Sequence, residues 1–172
     1  PHDPYLCPEP YASMFEDYEF PKAPNVWDTL EGKPEYQKAW SGARRTADRD
    51  AVKLTPSYFL GANAYIDSEI GRILDKVNEV APDALVIFTS DHGDALESHC
   101  LYAKGPAFYD EIARIPLIIK GGEAGKVSSD PISHIDLLPT IMDYMGLPRP
   151  QWIQGNSILP TVQDVSTRVN DV

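Results

Sequence analysis

Two aspartates, a glutamate, two histidines and a lysine fall within seventeen consecutive residues, "TSDHGDALESHCLYAKG" (residues 89–105). These are the side chains that bind divalent cations, move protons and neutralise oxyanions. Asp91 and His92 come directly after an apolar run, and a carboxylate beside an imidazole is a good donor pair for one ion. Adjacent strand residues point to opposite faces, so both reach one ion only if the chain turns, and Gly93 makes that turn easy. On spacing alone the pair reads equally well as a turn-capping aspartate beside a surface histidine, since two donors are too few to define a site. Lys104 could bind an oxyanion or stabilise a leaving group, though a loop lysine is more often simply solvated. His99 could donate a proton or support a neighbouring group through a hydrogen bond. Asp94 and Glu97 are expected to be solvated or bonded to nearby backbone, with Arg114 pairing with one of them to brace the loop.

The elements that must position this loop are legible on both sides of it. The run "ALVIFTS" (residues 84–90) predicts a strand buried on both faces, which delivers the loop at its carboxyl end, where open α/β sheets bind ligands. Upstream, Phe59, Ala62, Ile66, Ile70, Ile73 and Val77 recur at three- and four-residue spacing, predicting an amphipathic helix from Pro56 to about Val80. Downstream, "IPLIIK" (residues 115–120) predicts a second strand, closed by Gly121 and Gly122. A last helix follows, with Asp136 as N-cap, Pro139 in its first turn, a buried stripe of Leu138, Ile141, Met142 and Met145, and Gly146 as a left-handed stop. The order helix, strand, loop, strand, helix argues for an α/β fold, a layered sheet with flanking helices.

The chain reads as one domain in two stretches. Residues 1–55 are rich in proline and carry Tyr5, Tyr11, Phe15, Tyr18, Phe20, Trp27 and Trp40, which predicts a segment wrapped over an apolar surface. Residues 56–172 form the α/β portion. The 172 residues are 42% hydrophobic and 24% charged, an ordinary globular composition. A net charge of −11 leaves no basic face for nucleic acid or an anionic membrane, so an anionic substrate must be drawn by local groups. No apolar stretch reaches the roughly 18 residues that span a bilayer. Cys7 and Cys100 could pair but make no disulfide framework, which leaves the compartment open.

The order of these segments resembles the sulfatase branch of the alkaline phosphatase superfamily, which also holds phosphonate monoester and phosphodiester hydrolases. The similarity lies in "PHDPYLCPEPY", "YFLGANAYIDSEIGRILDKV", "FTSDHGD" with the later "KGPAFYDEIARIPLII", and "SHIDLLPTIMDYMGLPRP" with "QGNSILP". It implies an alkaline-phosphatase-like α/β domain of which this is the C-terminal portion, with Asp91 and His92 as ligands of a divalent metal ion (Ca, Mn or Mg). It further implies that Lys104 contacts the sulfuryl or phosphoryl group, that His2 serves the leaving group, and that His99 supports the site. Tyr109 and Arg114 would hold the loop, and His134 and Asp136 would be architecture. Attack on a tetrahedral sulfur or phosphorus needs a Lewis acid on the non-bridging oxygens and a cation or acid for the departing one, which this set supplies. Ser98 and Cys100 stand where the family usually has glycines beside the His99 position.

The family's formylglycine nucleophile arises in a Cys/Ser-x-Pro-x-Arg motif, and no such motif occurs in these residues. The resemblance therefore implies a formylglycine upstream and a missing N-terminal part of the same protein as partner. The expected activity of the whole is hydrolysis of a small sulfate ester, with the isolated 172 residues inactive and prone to homo-oligomerise through exposed sheet edges. Phosphonate ester hydrolysis is the alternative with the same machinery, and a non-catalytic binding or scaffold module is the alternative of another class.

Overall fold

The computed structural model describes residues 2, 4–19, 21–42, 56–122 and 124–171. Packing divides the chain into two compact units, residues up to Pro82 with Thr89–Pro116, and Asp83–Phe88 with Leu117–Val172. In the first unit the proline-rich segment contributes a 3₁₀ turn, Pro24–Trp27, and helix α1, Glu35–Ser41. Proline's fixed φ suits both starts: Pro24 opens the turn and Pro34 caps α1. Phe20 and residues 43–55 of that segment lie outside the described residues.

Helix α2 runs over Pro56–Val80, where the spacing places it. Its apolar stripe is best covered near the start, where Ala62 is buried and Phe59 half-buried; further on Ile70 and Val77 are half-buried and Ile73 is 62% exposed. The cover is the wrapping segment, with Tyr5 edge-on to Phe59 and Tyr11 tilted on Tyr65, both at 5.4 Å between ring centroids. Gly61 permits the crossing, because a Cβ there would stand 2.3 Å from the Tyr11 carbonyl oxygen. A short helix α3, Asp110–Ala113, and a 3₁₀ turn, Ser98–Cys100, complete this unit. Its core is Leu30, Ala95, Leu101 and Ile112, with Trp40 and Tyr109 packed against them. The reactive loop is thus not laid over a finished scaffold. Together with the wrapping segment, it is the hydrophobic core.

In the second unit, strands β1, Val86–Thr89, and β2, Leu117–Lys120, pair in a two-stranded sheet. Among the described residues the strands are not buried on both faces as expected: Phe88 is 41% exposed and Ile118 63%, in a chain that holds only this pair of the sheet's strands. Helix α4, Leu137–Tyr144, is preceded by a 3₁₀ turn, His134–Asp136, and followed by α5, Leu159–Gln163. The stripe expected to be buried on α4 is also largely outward, with Leu138, Ile141 and Met145 exposed and Met142 half-buried. The buried side is Asp136, Pro139 and Thr140. Hydrogen bonding decides this orientation. The Thr140 hydroxyl donates to Asp136 O and accepts from Ile158 N, and Asp136 accepts from Asn156 N and the Asn170 amide, so that side is tied to the chain that follows. Asp136 stands at the N-cap position of α4 with Pro139 in its first turn, as the sequence indicates, and its side chain closes a capping box with Ser133 around the preceding 3₁₀ turn. Gly146, at φ +65°, ends it as the sequence indicates.

Asp130 anchors the C-terminal stretch in the same manner. Buried, it accepts from the Thr161 hydroxyl and from the N–H groups of Val169 and Asn170. Burial pushes its pKa up, but these donors outweigh burial and hold the carboxyl below its ordinary value.

Candidate metal and sulfuryl site

Asp91 and His92 do turn toward each other. Asp91 Oδ1 accepts from the His92 N–H at 3.0 Å, and Asp91 Oδ2 lies 3.3 Å from His92 Nε2. Gly93 makes the turn close against α3: its N–H donates to Ile112 O, and a Cβ would fall 1.9 Å from Glu111 O. His92 Nδ1 is 2.8 Å from Gly93 O, so Nδ1 carries the proton and Nε2 faces the carboxylate. A lone pair 3.3 Å from an ionised oxygen is repulsive unless a proton or a cation stands between them. Two ligand atoms each about 2.1 Å from one cation are separated by about 3.0 Å at a right angle and about 3.4 Å at a tetrahedral one. The observed separation fits that bite, and a backbone carbonyl on the other ring nitrogen is the usual support of a metal-binding histidine. The His92 N–H, with the nearby charge of Lys104 adding to it, holds the Asp91 carboxyl below its ordinary pKa, ready to bind. Among the described residues no three His, Cys, Asp or Glu side chains cluster to hold a metal, so this pair is at most part of a coordination shell.

Lys104 is exposed, and the backbone that carries it is gripped by α1. Tyr36 donates to Pro106 O at 2.9 Å, Tyr109 donates to Gln37 Oε1 at 2.9 Å, and the Trp40 ring lies on Gly105 so closely that no Cβ would fit. All three grips come from one face of a seven-residue helix.

His99 is held within this unit on every side. Its Nδ1 is 2.8 Å from Asp28 Oδ2, its ring stacks on Tyr109 at 3.8 Å between centroids, and Asn25 Nδ2 approaches Nε2 at 3.3 Å. Hydrogen bonding from His99, against burial, lowers the pKa of Asp28. An ionised Asp28 can only accept, so Nδ1 bears the hydrogen and Nε2 takes one from Asn25. Asn25 gives its other amide hydrogen to Glu111 at 2.6 Å, which leaves Asn25 Oδ1 buried without a partner. Turning the amide over would set that oxygen against the Glu111 carboxylate, so the orphan persists. Cys100 adds a hydrogen bond to Val26 O, and neither it nor Cys7 is in a disulfide. Both His99 and Cys100 have φ +55°, the left-handed region glycine prefers.

Of the two loop carboxylates expected to be solvated or bonded to nearby backbone, Asp94 is bonded to backbone and Glu97 is not solvated. Glu97 is buried; Asp94 accepts from Leu96 N, as a turn-forming aspartate should, and also from the Tyr5 hydroxyl. Arg114 is exposed, and the bracing comes instead from residues 25–40. His2 is exposed three residues before Tyr5. A cleft of about 200 Å³ beside the loop is lined by Pro21, Val26, Asp94, Leu96 and Glu111 among others, and not by Asp91, His92 or Lys104.

The sulfatase family model matches residues 1–147. The chain belongs to the sulfatase family. It is 38% identical over 92% of its length to an uncharacterized sulfatase, YidJ, of Escherichia coli, covering 32% of that protein. It is 30% identical over 96% of its length to a choline-sulfatase of Rhizobium meliloti, covering 34%. Among solved structures, the phosphonate monoester hydrolase SpPMH of Silicibacter pomeroyi superposes on the whole chain with a TM-score of 0.80 and 28% identity, over 37% of that protein. The sulfatase chain described here therefore has part of an alkaline-phosphatase-like α/β fold, and spans about a third of the length of the curated relatives it matches. Membership of the family implies a metal ion and a formylglycine.

Proposed function

We propose that this chain carries the metal-and-leaving-group half of a sulfuric ester hydrolase. The observation that supports this best is the Asp91–His92 pair, set at a metal's bite beside Lys104 on a loop gripped from both sides. Asp91 and His92 would hold a divalent cation (Ca, Mn or Mg), which when bound polarises the sulfuryl oxygens. Lys104 places its ammonium on the sulfuryl group and the bridging oxygen, where negative charge grows as the ester bond breaks. His2 gives a proton to the departing oxygen. His99, with both ring nitrogens engaged, serves as a brace for the loop between the metal pair and Lys104. The nucleophile is a formylglycine upstream in the full-length protein, and the substrate is a small sulfate monoester.

A second reading, phosphonate monoester hydrolysis, has support in the likeness to the Silicibacter enzyme. The full-length protein decides between them by its kcat/KM on matched aryl sulfate and aryl phosphonate esters. A sulfate preference that chelation abolishes, and that His92→Ala lowers by weakening metal binding, is expected. Cation binding with neither ester turned over would make the protein a binding module and overturn the proposal.

A further inference from the structure

Tyr5 makes a hydrogen bond to a residue far along the chain. Its hydroxyl donates to Asp94 Oδ2 at 2.5 Å across 89 residues, and both side chains are half-buried. The other oxygen, Oδ1, accepts from Leu96 N at 2.9 Å. One carboxylate thus closes its own turn with one oxygen and holds the N-terminal segment with the other. The Tyr5 ring is fixed independently, edge-on to Phe59 of α2. A phenylalanine could make that ring contact; only a hydroxyl reaches the carboxylate. Asp94 is two residues beyond His92, and Tyr5 is three beyond His2, a span of at most about 11 Å of chain. The bond therefore limits how far His2 can stray from the metal pair.

We propose that Tyr5 is a positioning residue that tethers His2 to the reactive loop through Asp94, and so sets the proton donor against the departing oxygen. The inference rests on the leaving-group role given to His2 above. In the step concerned, an oxygen nucleophile forms a new bond to sulfur while the ester S–O bond breaks. Its electron pair goes to the departing oxygen, which takes the proton of the His2 imidazolium. The imidazole is left neutral and regains a proton from water. A displaced donor matters little when the leaving oxygen is acidic, and greatly when it is basic.

The test uses the full-length protein and a series of aryl sulfates, from para-nitrophenyl to unsubstituted phenyl, with His2→Ala as the reference. His2→Ala should lower kcat for phenyl sulfate by about 10²-fold or more, and far less for the nitrophenyl ester. Tyr5→Phe should show the same trend in milder form, about tenfold on phenyl sulfate, with KM little changed. In the His2→Ala background Tyr5→Phe should have no further effect on the trend, because the group it positions is gone. A Tyr5→Phe loss equal for all leaving groups, or none at all, beside a steep His2→Ala trend would overturn the tether alone. A flat His2→Ala trend would overturn the role of His2, and the tether with it.

Discussion

Gly105→Ala is the smallest change that should disable the lysine segment. A methyl group at Gly105 would stand 2.6 Å from Trp40 Cη2 and Cζ3 and 2.9 Å from Cε3. Carbon atoms rest at about 3.5–4.0 Å, so ring and backbone must part by about 1 Å. The indole cannot retreat freely, since it packs on Leu30, Ala95, Leu101 and Ile112. The displacement should therefore pass largely into the backbone beside Lys104. Overpacking of this kind costs about 1–3 kcal/mol in urea unfolding. A misplacement of about 1 Å at an ammonium acting on a transition state costs about 10²-fold in kcat/KM on an aryl sulfate, measured in the full-length protein. Trp40→Leu removes all three ring atoms, so the double variant should be more stable than the sum of the single changes by about 1 kcal/mol. A Gly105→Ala protein within about 0.5 kcal/mol of wild type with unchanged kcat/KM would refute the reasoning, as would strict additivity.

Asp130 has a folded pKa below its unfolded value of about 3.9, so its stabilisation is present above that value and lost as pH falls through the folded pKa. Asp130→Asn should lower stability at neutral pH by about 2 kcal/mol and flatten the acid limb of the unfolding curve, read by urea titration at stepped pH. Asp28→Ala removes the acceptor of His99 Nδ1 and should cost about 1–3 kcal/mol, while Asp28→Asn, whose amide oxygen still accepts, should cost less and retain the Nδ1–H signature in imidazole nitrogen NMR. Iodoacetamide on the native protein should label half-buried Cys7 and spare buried Cys100; labelling of both at equal rates, read by peptide mass, would contradict the Cys100 to Val26 contact.

Chain order and local pattern carried most of what was legible. The long helix over Pro56–Val80, the two strands and the Gly146 stop follow from periodicity and turn chemistry, which act over a few residues. The facing of Asp91 and His92 was one of two readings the spacing left open, made easy by Gly93, a local matter too. What sequence hid was direction and distance. The apolar stripe of α4 looked like its buried side, but satisfying Asp136 and Thr140 fixed the opposite one, since an unpaired buried polar group costs more than an exposed methyl. The grips by Asn25, Asp28, Tyr36, Gln37 and Trp40 connect residues about seventy apart. Only the Asp28 to Leu30 turn and the aromatic content of that stretch left a trace in the sequence.

The grips on the loop have a consequence in time. They join Tyr5 to Asp94, Asp28 to His99 and Tyr36 to Pro106, separations of 89, 71 and 70 residues. Contacts so distant along the chain form after local ones, so α2 should be made while the loop is still loose. During synthesis, residues 5–40 leave the ribosome before the loop and wait for the segment they will hold. On heating, the order should run backwards, with the loop released from its grips before α2 melts. In the full-length protein, the ester hydrolysis proposed above would then vanish a few degrees below the loss of helical circular dichroism, and a change to any one grip would widen that gap.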